Sequence, residues 1–163
     1  MSLEIVVGVH GVRWTVWATM VGVIGATACT KTPSEEDRVR AVIRKAIDAA
    51  NEKRAGKVVE DTARDFKGPR GLGVQECRRI LTGYFFQQGW LKVFERKLDV
   101  TLEGTKAIAK LEVLVARGEP VESVEDLLPK QASRIDFDLE LEKKDGAWSF
   151  TQADYTPRPV VEP

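Results

Sequence analysis

The stretch "SRIDFDLELEKKDGAWSFTQADY", residues 133–155, alternates with a period of two. Ile135, Phe137, Leu139 and Leu141 fall on one side, and Asp136, Asp138, Glu140 and Glu142 on the other. Successive side chains of a strand point to opposite faces, so this pattern reads as a strand with one buried face and one wet face. Asp145-Gly146 then supplies a tight hairpin turn, because both central residues of such a turn need positive φ. "AWSFTQADY" returns with Trp148 and Phe150 on the inner face, and the same alternation carries Asp154 to that face.

The pattern extends backwards. "TKAIAKLEVLVARG" puts Ala107, Ala109, Leu111, Val113 and Val115 on one face. "LKVFERKLDVTLEG" puts Phe94, Leu98, Val100 and Leu102 together, with Arg96 among them, and a turn near Glu103-Gly104 joins the two strands. Residues 118–130 read as a loop with Pro120 and Pro129 and one helical turn at 123–128. The acidic row on residues 136–142 does not read as a calcium site, because alternate side chains lie about 7 Å apart along a strand. Lys106 and Lys110 can face the row, so it reads as a solvated, charge-matched face.

Before residue 90 the period is helical. Ser34 and Asp37 form a capping-box-like start, with Glu35 and Glu36 in the first turn. Val39, Val42, Ile43, Ala46, Ile47 and Ala50 then line one face of a helix running to about residue 54, where Gly56 breaks it. Residues 57–64 read as a short second helix. "DFKGPRGLG", residues 65–73, reads as a loop with a brief strand at its start. A third helix covers residues 74–88, burying Val74, Cys77, Leu81, Tyr84 and Phe85 with Ile80 beside them. Cys77 on that stripe reads as a small core residue. Three helices followed by four antiparallel strands make an α+β fold in which the helices cover the apolar face of the sheet.

The first thirty residues concern address. Arg13 precedes an apolar run, residues 14–28, of signal-peptide length and too short for a spanning helix. Glu4 and a second apolar stretch, residues 5–9, come before Arg13, which points to an initiation site downstream of Met1. Ala26-Thr27-Ala28 fits ordinary secretory cleavage. Small residues followed by Cys29 also resemble a bacterial lipobox, with Ala26 where Leu is usual. The resemblance implies acylation of Cys29, and each buried CH₂ of an acyl chain contributes about 0.8 kcal/mol of membrane affinity. Thr30, rather than Asp, follows the cysteine, which by that resemblance points to the outer membrane. Plain secretion and an uncleaved signal anchor stand as alternatives. The expected organisation is a signal peptide at 1–28, a tether at 29–34, a domain at 35–156 and a flexible tail at 157–163.

Composition narrows the function. The 163 residues carry 25 basic and 25 acidic side chains, with no basic excess for a nucleic-acid partner. The two cysteines, Cys29 and Cys77, make no disulfide framework; a single bridge between them remains an alternative in an oxidising compartment. No CxxC, HExxH, P-loop or GxSxG motif occurs, so no cofactor and no metal are expected. The one histidine, His10, precedes the cleavage point, so the mature chain has no side chain with an ordinary pKa near 7.

The order of elements, "DFKGPRGLGVQECRRILTGYF" and the closing "LELEKKDGAWSFTQADY" resemble the nuclear transport factor 2-like superfamily over residues 34–156. More narrowly they resemble its small exported bacterial proteins. The resemblance implies a cystatin-like cone: three N-terminal helices packed on a curved, four-stranded antiparallel sheet. Its enzymes use a histidine, or an Asp with a Tyr, inside the cone. Neither set carries over here, since the first helix has no Tyr. The candidate pocket residues are Asp65, near the cone's mouth, Tyr84, Arg96, Trp148 and Asp154. Arg96 would snorkel, pair with Asp154 or bind an anionic headgroup. The leading expectation is a non-catalytic, exported, lipid-anchored binding or assembly module of the bacterial envelope. Its partners would be the membrane, through the lipid, and a protein or apolar ligand. Alternatives are a carrier of a lipid or hydrophobic small molecule, and an isomerase- or dehydratase-like enzyme using Asp65 or Asp154 with Tyr84. Dimers of this fold often form through the sheet face; monomer and homodimer both stay open.

Overall fold

The computed structural model describes residues 32–118, 120 and 132–159. The expected signal peptide with Cys29, most of the loop expected at 118–130, and residues 160–163 lie outside the described residues.

Helix α1 spans Glu35–Asn51. The Ser34 hydroxyl accepts from the Asp37 N–H at 3.1 Å, and the Asp37 carboxylate accepts from the Ser34 N–H at 3.0 Å, completing the expected capping box. Val39 and Ile43 are fully buried, with Val42, Ala46, Ile47 and Ala50 packed around them. The helix ends before Gly56. Lys53 takes a left-handed φ of 56° and sends its ammonium to the carbonyls of Gln88 and Gly89 at the end of the third helix, 2.7 Å from the first. The first of these belongs to the C-cap residue of that helix, whose carbonyl has no partner within it.

Helix α2, Ala55–Val58, is shorter than expected, and Gly56 lies inside it. Arg64 belongs instead to a strand, β1, Thr62–Lys67. After a short turn at Pro69–Gly71 comes α3, Val74–Gln87. Phe85 is buried, while Val74, Cys77, Leu81 and Tyr84 are half-buried. Ile80 is exposed instead of packed. Gly68 is buried against α3: a Cβ there would meet the Cys77 Sγ at 2.6 Å.

Four long strands follow: β2, Leu91–Glu103; β3, Lys106–Arg117; β4, Ala132–Lys144; and β5, Ala147–Arg158. The turn before β5 has Asp145 at φ 52° and Gly146 at 83°, as the Asp-Gly pair requires. The sheet order is β1-β5-β4-β3-β2. The sheet therefore has five strands and is mixed, not four-stranded and antiparallel. The addition is β1, which runs parallel to β5 with Thr62 beside Phe150 and Lys67 beside Gln152. The Phe150 N–H donates to the Asp61 carbonyl at 2.8 Å to begin that pairing. With Phe66 as its large apolar contact to the core, β1 is too short to show a period.

Two bulges reset the alternation. In β2 the register slips between Glu95 and Lys97, so Arg96 is the unpaired extra residue. In β5 it slips opposite Glu140 and Leu141, leaving Thr151 extra. The inner face consequently carries Leu91, Val93, Leu98 and Val100 from β2 and Trp148, Phe150 and Ala153 from β5. Together with the inner residues expected on β3 and β4, they meet α1 and Phe85 in one core. Residues 157 and 158 extend β5 rather than starting a tail: Pro157 stands opposite Ile135, past the reach of β1. In the alternating ladder it is one of the residues whose backbone groups face away from β4, so its missing N–H breaks no bond.

Candidate functional site

The five expected pocket residues do not converge. Trp148 is 4% exposed and belongs to the core. Its indole Nε1 donates to the Glu35 Oε2 at 3.0 Å, and the Lys143 ammonium sits 2.9 Å from the same oxygen. These two donors hold the Glu35 carboxyl below the usual carboxylate range, the lysine contributing most. The trio fastens the start of α1 to β4 and β5, and its role is structural. Tyr84 is half-buried with its ring 6.2 Å from that of Phe85, as a core aromatic.

The remaining three face water. The bulge at Thr151 turns Asp154 onto the outer face, opposite Asp138, and leaves it exposed. Its carboxylate accepts from Gln152 Nε2 at 3.1 Å. Arg96, as the bulge residue of β2, is also exposed, and the same bulge puts Phe94 on the outer face opposite Leu114. Asp65 is exposed on β1. The expectation of a shared interior pocket is thus corrected, and the cause is the same in β2 and β5: one extra residue reverses every side chain beyond it. An Asp–Tyr pair built from Asp65 or Asp154 with Tyr84 does not form.

The outer face is polar over most of the described residues, with Phe94, Leu114 and Ala116 as an apolar patch on β2 and β3, and two open grooves lie on it. One, of about 420 Å³, runs between Asp65 and Lys67 on β1, Glu140 and Glu142 on β4, and the Glu103–Lys106 hairpin. The other, of about 250 Å³, is flanked by Lys97, Lys110, Asp138, Arg134, Asp136 and Arg158. Arg134 bridges Glu112 at 2.8 Å and Asp136 at 3.3 Å, and Arg158 reaches Asp136 at 3.1 Å. Lys110 stands opposite Asp138, 3.8 Å from its carboxylate, and Lys106 opposite Glu142. The acidic row is charge-matched as the sequence indicates. Among the described residues no three metal-ligating side chains converge, and no polar or charged residue is buried. The thiol of Cys77 is half-buried, and burial pushes its pKa up, away from a nucleophilic thiolate.

Sequence reasoning missed the residues that treat the sheet edge. On α1, Asn51 bonds both backbone groups of Val93, Arg44 pairs with Glu95, and Arg40 donates to the Leu98 carbonyl at 2.7 Å. Their one signal is a polar stripe beside the apolar stripe of α1.

Comparison with solved structures identifies the fold. A protein from Pseudomonas putida described as NTF2-like and of unknown function superposes with a TM-score of 0.63 at 13% identity, covering 81% of this chain and all of that one. An uncharacterized cystatin-like protein from Caulobacter vibrioides gives 0.62 at 15% identity over 77% of this chain and 90% of its own. A putative scytalone dehydratase from Novosphingobium aromaticivorans gives 0.59 at 11% identity, over 79% and 89%. The chain has the cystatin-like, NTF2-like fold. No protein-family model matches it, and no curated protein does.

Proposed function

We propose that this cystatin-like cone is a non-catalytic binding module, exported and held on a bacterial envelope membrane by acyl chains on Cys29, with its outer sheet face turned to a protein partner. One observation carries the non-catalytic part. Among the described residues the inner face is apolar apart from side chains held in ion pairs, Glu95 with Arg44 and Lys143 with Glu35, and the other acids that could have served as a base, Asp65 and Asp154, stand in water outside it. The outer face offers the opposite: grooves bounded by fixed charges of both signs, which favour recognition of a complementary polar surface. The anchor rests on the sequence: small residues, Cys29, then a polar stretch reaching the capped start of α1 at Ser34.

The test is a native mass spectrum of the protein extracted from the membranes of its source, then denatured. The expected result is a covalent, lipid-sized increment that disappears in Cys29→Ser, and a domain that releases nothing further. A lipid or metabolite leaving on denaturation would replace this reading with the carrier or the enzyme. An unmodified Cys29 would remove the anchor.

A further inference from the structure

We infer that the second half of β2 is a self-complementary edge, through which two copies of this chain pair antiparallel about Val100 and join their sheets. The inference is independent of the anchored-module reading.

β2 is the outermost strand on its side of the sheet. Its first half is closed by α1. Asn51 takes the N–H and the C=O of Val93, and Arg40 takes the Leu98 carbonyl. The bonds to Val93 also settle the phase of the strand. Val93 spends its N–H outward, so it is a residue not bonded to β3 in the alternating ladder. Following the register through the bulge, Leu98, Val100 and Leu102 point their backbone groups outward as well. Thr101 and Glu103 spend theirs on β3. Beyond Leu98 no side chain of α1 reaches the edge through a hydrogen bond, and Leu102 is 38% exposed although it lies on the inner, apolar face. Among the described residues nothing covers this part of the edge, and an edge of this kind invites another strand.

The sequence there reads "KLDVTLE", residues 97–103. Laid antiparallel on itself about Val100, it sets Lys97 opposite Glu103 on the outer face, twice by symmetry. Leu98 meets Leu102 on the inner face, Asp99 meets Thr101, and Val100 meets its own copy. The pairs that exchange hydrogen bonds are Val100 with Val100 and Leu98 with Leu102, the residues whose groups point outward; the Leu98 carbonyl, which holds Arg40 on one lone pair, accepts the Leu102 N–H on the other. Neighbouring registers fail on charge. Centring on Asp99 sets that carboxylate against itself, and centring on Thr101 sets Asp99 against Glu103. A half-step shift sets outward groups against residues already bonded to β3. Opposite charges across a strand pair stabilise and like charges repel, so the register centred on Val100 is favoured over those neighbours. The contact is isologous, and it closes as a two-fold dimer.

Sedimentation velocity of the full-length chain tests this with two charge reversals, each checked for folding by circular dichroism. In Lys97→Glu and in Glu103→Lys every cross-pair becomes like-charged, so each variant alone should lose dimer affinity by about tenfold or more. Mixed together they form a heterodimer in which both pairs are again opposite, so the equimolar mixture should recover the dimer. In the wild type the Val100 and Leu102 amides should become protected from hydrogen exchange as concentration rises through the dimer transition. A wild type that stays monomeric at its highest soluble concentration overturns the inference. Dimers that survive both reversals, or a mixture that fails to recover them, overturn it too, and either result moves self-association to another face.

Discussion

Asn51 stands in for a sixth strand at Val93: its Oδ1 accepts the Val93 N–H at 2.6 Å and its Nδ2 donates to the Val93 carbonyl at 3.2 Å. A helix side chain thereby completes a ladder rung that the sheet leaves open. Replacing Asn51 with Ala strands both backbone groups in a half-buried position. A loss of about 1–3 kcal/mol in unfolding free energy is expected. Urea denaturation measures it, and an unchanged midpoint would show that water takes over the rung.

Glu35 makes the domain acid-sensitive. Its carboxyl is held below its ordinary value by Lys143 first and Trp148 second, and Glu60 and Glu95 are lowered by their lysine and arginine partners. A group whose pKa is depressed on folding stabilises above its unfolded value, and that stabilisation is lost as pH falls through the folded one. The midpoint of thermal unfolding should thus hold steady near neutrality and decline as pH drops below the ordinary carboxylate range. Glu35→Gln should be less stable at neutral pH and show a shallower decline. A variant with the same slope as the wild type would mean that Glu35 contributes no pH-dependent stability.

Gly68 is a packing constraint rather than a conformational one. Its φ of −81° suits any residue. The obstacle is the Cys77 Sγ, 2.6 Å from where a Cβ would stand, with the Leu72 carbonyl at 3.0 Å. Gly68→Ala should cost about 1–3 kcal/mol by overpacking. Adding Cys77→Ala should return part of that loss, and a double-mutant cycle reads the coupling. Purely additive effects would place the strain at Leu72 instead.

Ile43 and Asp154 form a contrast. Ile43 is 1% exposed at the centre of the core, so Ile43→Ala should cost about 2–5 kcal/mol. Asp154→Ala, on the wet outer face, should stay within about 0.5 kcal/mol of the wild type. A large loss at Asp154 would restore it as a buried partner.

The helical capping, the apolar stripe of α1 and the inner residues of β3 and β4 are legible because each rests on a repeated period or a local motif. What escaped reading is what a single residue decides. Arg96 and Thr151 are ordinary strand residues, and nothing in "FERKL" or "SFTQAD" marks them as extra. Each can be recognised only from the partner strand. The candidate site suffers most, because counting across those positions puts Asp154 and Arg96 on the inner face. Strand β1 is legible only in part: a brief strand is expected from residue 65, but its start at Thr62 and its parallel pairing are not, since Phe66 alone cannot display a period.

Pro157 carries a meaning for assembly that its place at the end of β5 does not suggest. The far border of the sheet is only partly shielded, since β1 accompanies β5 no further than Gln152. A strand arriving beyond that point would find a missing donor in the row it must bond. One border of the molecule can accept a copy of itself, while this one carries a stop. A strand that reached β5 past the end of β1 would meet that gap, which works against pairing along this stretch.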